Sequence, residues 1–92
     1  MQTPREIEDW IHRNPHRPAD IERLYAARDQ YVERLQTQPG VTLADLAGLD
    51  RLGRFRVAAE LWGSCTQSAR SALLSDEHHQ VRSTAMIAAS AK

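Results

Sequence analysis

From Ile7 to Ile87 the apolar residues of this chain return at intervals of three and four, and over no useful length do they alternate with period two. Such spacing gathers apolar side chains on one face of a helix and leaves a strand nothing to bury, so the expected fold class is all-α. The punctuation sets the count at five to six helices. Thr3, Pro4 and Glu6 form a capping box with proline at the first helical position. Ile7, Trp10 and Ile11 then share a face until Asn14-Pro15 ends the element. Pro18 opens a second, longest helix to about Gln36, with a stripe of Ile21, Leu24, Tyr25, Arg28, Val32 and Leu35, and Pro39-Gly40 breaks it.

Beyond that break the elements shorten. Thr42 with Asp45 caps a helix to about Leu49, and Asp50 to Gly53 reads as a turn. Arg54 to Trp62 is the next helix, with Phe55, Ala58, Ala59 and Trp62 inward. Thr66 to Leu74 and His79 to about Ala91 follow. Helices this short need tertiary packing to persist. Residues 1–92 are expected to form a single domain, with a helical hairpin over 1–38 and two shorter hairpins over 42–91.

The second half carries a self-similarity at 26 residues. The shift takes Asp50 to Asp76, Phe55 to Val81, Arg56 to Arg82, Ala59 to Ala85 and Leu61 to Ile87. Each Asp sits where its side chain can accept the backbone N–H groups of a following helix. Arg56 and Arg82 are expected within hydrogen-bond reach of Asp50 or Asp76, which would hold one hairpin on the next. This pattern, clearest in Leu73-Leu74-Ser75-Asp76, Val81-Arg82 and Ala85, resembles HEAT and HEAT-like repeats over residues 42–91. The resemblance implies two stacked helical hairpins, with the first 38 residues as a cap over one end. The period is shorter than usual for that family, and two copies are fewer than such arrays normally hold.

Little in the chain points to catalysis. His12 and His16 are separated by Asn14-Pro15, and adjacent His78 and His79 are not expected to converge, so no metal site is expected. Cys65 lies beside a helix start, where a thiolate is mildly favoured, but has no nucleophile's partner in sequence. The carboxylate pairs Glu6/Asp9, Glu8/Asp9, Asp29/Glu33 and Asp76/Glu77 have capping explanations or sit on polar faces. The glycines are isolated, so no phosphate loop is read. No catalytic residue and no cofactor is expected.

Twelve basic residues balance twelve acidic ones, so overall charge favours neither nucleic acid nor an anionic membrane. No apolar run approaches the roughly 18 residues of a membrane span, the polar start shows no signal peptide, and one cysteine suits a cytoplasmic location. Trp10 and Trp62 are expected as core anchors. The last helix is apolar on more than one side, so Val81, Met86, Ile87 and Ala89 are the expected partner-binding residues. The expected function is a non-catalytic protein–protein interaction module, an adaptor, inhibitor or regulator whose partner is another protein or a second copy bound through the last helix. The alternative is a nucleic-acid-binding regulator using an arginine face of Arg51, Arg54, Arg56, Arg70 and Arg82. Thr42 to Leu61 superficially resembles a helix-turn-helix, without glycine at the turn and with Glu60 where an apolar residue should pack.

Overall fold

The computed structural model describes residues 2–15 and 17–91. Among them are six α-helices: α1 (Pro4–Arg13), α2 (Pro18–Gln36), α3 (Leu43–Ala47), α4 (Arg51–Glu60), α5 (Gln67–Leu74) and α6 (His79–Ser90). A single 3₁₀ turn over Trp62–Ser64 joins α4 to α5. The fold is all-α, and the described residues contain no strand, only an isolated bridge between Val41 and Cys65.

The caps read in the sequence are made. Glu6 N–H donates to Thr3 Oγ1 at 3.2 Å while Thr3 N–H donates to the Glu6 carboxylate at 2.9 Å. Thr42 and Asp45 repeat the exchange at 3.2 and 2.8 Å, while Thr66, read as the first residue of a helix, is instead its cap and accepts from Ala69 N–H at 3.2 Å. Pro4 and Pro18 each stand in a first helical turn, where their missing N–H has no partner to lose. The segments before α3 and α5 are tied together: Val41 N–H donates to the Ser64 carbonyl at 2.8 Å and Thr66 N–H to the Val41 carbonyl at 2.9 Å. Two equivalent entries into a helix therefore lie side by side, each followed by its capping threonine.

The helix after Asp50 departs from expectation. Asp50 is itself the cap, its Oδ1 accepting from Gly53 N–H at 3.1 Å, so α4 starts at Arg51 and the supposed turn is its first turn. Its inner face is then Gly53, Arg54, Val57 and Ala58, while Phe55 and Ala59 point out. Gly53 is inside the helix because there is no room for a side chain. A Cβ there would lie 2.6 Å from Leu49 Cδ2 and 2.7 Å from Asp50 Oδ1. The last helix, read to Ala91, ends at Ser90.

Two apolar clusters hold the helices. Ile7, Ile11 and Leu24 pack between α1 and α2, with Ile21 and Ala27 against them. The larger cluster joins Val32 and Leu35 of α2 to Val41, Leu46, Leu49, Val57, Ala58, Cys65, Ala69, Leu73, Val81 and Ala85. α4 packs between α2 and α6, and α5 packs against α6 and α3. Of the two tryptophans, Trp62 is half-buried against this cluster, but Trp10 is 45% exposed. α1 packs mainly on α2 and buries only Pro4, Ile7 and Ile11, a stripe too narrow to cover Trp10 at its edge.

Candidate interaction surface

Two ion pairs lie inside the fold. Arg28 of α2 donates Nε and Nη2 to Asp50 Oδ2 at 2.8 and 2.6 Å, with both side chains buried. Arg54 of α4 donates Nε to Asp76 Oδ2 at 2.7 Å and Nη1 to the Leu49 carbonyl at 3.0 Å. The Asp76 Oδ1 accepts the His78 N–H at 2.9 Å. Each carboxylate thus receives both a guanidinium and a backbone N–H, which is what makes burying a charge tolerable. The second pair repeats the first at the same 26-residue shift, Arg28 to Arg54 and Asp50 to Asp76.

These are not the arginines expected to hold those aspartates. Arg56 instead donates Nη1 to Asp29 at 2.9 Å and lies 3.6 Å from Glu60. Arg82 reaches the expected turn, but its Nη1 donates to the Asp76 backbone carbonyl at 2.6 Å rather than to the carboxylate. α4 starts three residues earlier than expected, which turns Arg54 inward and Arg56 toward α2. The signal for Arg28 was present: a charged residue on the apolar stripe of α2.

The five arginines of the supposed basic face do not form one open surface. Arg54 is buried on Asp76, and Arg56 and Arg82 are half-buried on the partners just given. Arg70 lies over the Trp62 ring at 5.4 Å and donates to the Trp62 and Gly63 carbonyls at 3.2 and 3.3 Å. Arg51 is the exposed member. It lines a hollow of about 410 Å³ with Glu8, His12, Arg54, Glu77 and His78, where α1 meets α4 and the turn before α6. No sequence signal joins these residues, because three elements supply them and their charges are of both signs. Arg51 N–H donates to Glu8 at 3.4 Å, and Glu77 lies 3.6 Å from Arg54 and 3.7 Å from Arg5.

His78 and His79 do meet, contrary to expectation, stacking with ring centroids 4.8 Å apart. His78 is the extended cap residue of α6, so its side chain does not follow helical geometry. Desolvation and then the Arg51 guanidinium hold its imidazole below the usual histidine range, with Asp76 opposing. His16 lies outside the described residues. Among the described residues no three His, Cys, Asp or Glu side chains gather as metal ligands. Cys65 is buried, its thiol donating to the Leu61 carbonyl at 3.4 Å. Burial pushes that thiol above its ordinary range despite Arg70 nearby. The helix start therefore does not favour the thiolate here as the sequence suggested.

The residues expected to bind a partner divide by depth. Val81 is fully buried and unavailable to a partner, because its side of α6 carries the core contacts with Ala85. Met86 and Ile87 are 61% and 72% exposed, and Ala89 is exposed too. The sequence reading missed Leu52 and Phe55, which stand out from α4. With His79, Gln80, Ser83 and Thr84 they line a shallow hollow of about 250 Å³ between α4 and α6. Ile87 follows one turn after Ser83 on the same face of α6, and no residue from Ser83 to Ala91 is charged. Their signal was the i, i+3, i+7 spacing of Leu52, Phe55 and Ala59, obscured by the wrong helix start.

Compared with known proteins, the chain matches no family model, no curated protein and no solved structure. No helix among the described residues is long and apolar enough to cross a membrane.

Proposed function

We propose that this chain is a non-catalytic protein–protein interaction module that docks on another protein, and on its own copy, through the outward face of α4 and α6. The observation that carries this reading is the exposure of Met86 and Ile87 on a charge-free end of α6, about one turn beyond the hollow that Leu52 and Phe55 of α4 line with Ser83. Exposed apolar side chains grouped in this way lose water when a partner covers them. Self-association suits an uncharged patch, because a twofold interface sets the same residues against each other and like charges there would repel. A cytoplasmic setting is part of the proposal, since Cys65 has no second cysteine in this chain.

The proposal includes HEAT-like stacking of the hairpins α3–α4 and α5–α6 beside α1–α2. It is supported by α4 lying between α2 and α6, by α3 lying against α5, and by an Arg–Asp pair recurring at each step. The test is the mass of the purified chain by sedimentation from about 1 to 500 μM, the range in which weak interfaces assemble. A mass rising with concentration, and returning to that of the monomer on Ile87→Glu, supports the reading. A monomer throughout, with no partner crosslinked through position 86 or 87 in cells, refutes it.

A further inference from the structure

The α1–α2 hairpin has a second surface, on the side away from α4. α1 has ten residues and α2 nineteen, so at about 1.5 Å per residue α1 shields only about half of α2. Where α1 begins, a groove of about 540 Å³ runs along α2. Pro4 and Ile7, themselves buried, close it on the α1 side; exposed Ala26 and half-buried Ala27 give its apolar floor, with no bulk to keep a third backbone away.

Its charge is one-sided. Arg23, Ala27, Gln30 and Arg34 follow at i, i+4, i+7 and i+11, so they share one face of α2. The two arginines stand about 16 Å apart along the axis. Both are exposed, and among the described residues neither has a carboxylate within 4.0 Å. The Arg34 guanidinium lies over the Tyr31 ring at 4.5 Å. No acidic residue lines the groove. Glu6, on the neighbouring turn of α1, is committed to the Thr3 N–H. Asp29 turns to Arg56 of α4, and Glu22 and Glu33 share its edge of α2.

We propose that this groove seats an amphipathic helix of a partner protein that carries an apolar stripe with an acidic residue at each end, about three turns apart. An apolar floor alone would accept any small hydrophobe, but two unpaired cations at this separation select an elongated, doubly acidic occupant. A second copy of this chain offers Glu22 and Glu33 at the same eleven-residue spacing. Between them, on that edge, stand Tyr25, whose ring carries the Arg28 guanidinium at 5.2 Å, and Ala26, too small to fill the groove.

The test uses a labelled synthetic helical peptide with a leucine stripe and glutamates eleven residues apart, and the same peptide with lysines in their place. Binding is read by fluorescence anisotropy, and the site by backbone amide shifts of the full chain bearing Ile87→Glu, which keeps the α6 surface out of the measurement. The glutamate peptide is expected to bind and to shift amides of residues 3–7 and 23–34. Arg23→Glu with Arg34→Glu is expected to weaken it about tenfold and to improve binding of the lysine peptide. Ala26→Glu, at an exposed position, is expected to weaken the glutamate peptide with the helical content unchanged. Equal affinity for the two peptides, shifts confined to α4 and α6, or binding unaffected by the arginine reversals would each overturn the proposal. So would self-association of the Ile87→Glu chain that the arginine reversals abolish, since a second copy would then be the occupant.

Discussion

Asp50 caps α4, Asp76 accepts the N–H of the α6 cap residue His78, and each holds a buried arginine, so one carboxylate serves two structural tasks. Removing Asp50 leaves the Arg28 guanidinium in the interior without a counter-charge, and removing Asp76 leaves Arg54 only the exposed Glu77 at 3.6 Å. Asp50→Ala is expected to destabilise the fold by about 3–5 kcal/mol, whereas Arg56→Ala, which breaks half-exposed pairs with Asp29 and Glu60, should cost no more than about 1 kcal/mol. Urea denaturation of the two variants compares them directly, and equal losses would mean that the buried pair is not what joins α2 to α4. Cys65 makes a second prediction at this scale. Its thiol is raised by burial, so the folded state binds the proton more tightly than the unfolded state. Stability is therefore expected to fall as pH rises through the unfolded cysteine value, near 8.5, and Cys65→Ser should lose that alkaline slope. Alkylation at pH 8 should be slow in buffer and fast in denaturant; equal rates would show the thiol to be accessible.

α4 shows how one helix start determines which side chains become core. With Asp50 as cap, Arg54, Val57 and Ala58 face inward and Leu52 and Phe55 face out. Gly53 permits that placement, because the Leu49 side chain and the Asp50 carboxylate fill the volume a Cβ would need. In an exposed helix, glycine to alanine gains about 1 kcal/mol of propensity. Here the carboxylate is pinned by Arg28 and cannot yield, so Gly53→Ala is expected to destabilise by about 1–3 kcal/mol despite that gain. A rise in melting temperature for this variant would contradict the packing described. The helix starts at Thr3 and Thr42 were legible in the sequence because a capping box is a local exchange within four residues. The start at Asp50 was legible as a capping aspartate but misplaced by three residues, because glycine was taken as a break rather than as a close contact.

Across the whole molecule, α4 stands between α2 and α6, and the two buried ion pairs bracket it: Asp50, its cap, holds Arg28 of α2, and its own Arg54 holds Asp76 in the turn before α6. Leu52, Phe55, Met86 and Ile87, left outside, form the surface on α4 and α6 to which the proposed docking is assigned. Because Ile87 is mostly exposed, Ile87→Glu is expected to change the unfolding free energy of the monomer by no more than about 0.5 kcal/mol while abolishing self-association. Chemical denaturation at low concentration, set beside sedimentation at high concentration, separates the two effects. A large loss of monomer stability would place Ile87 in the core instead.

The all-α class, the helix count and the capping boxes at Thr3 and Thr42 were determined by the sequence alone, since periodicity and capping act over a few neighbouring residues. Tertiary structure decided which arginine meets which aspartate and which face of each short helix is buried. Arg28 and Asp50, like Arg54 and Asp76, lie 22 residues apart, and only the packing of one helix on another brings them within hydrogen-bonding distance. A shift of one position in a helix turns a side chain by roughly 100 degrees, enough to exchange core for surface. Local signals alone could therefore not foresee that Val81 would be covered and Phe55 left in water.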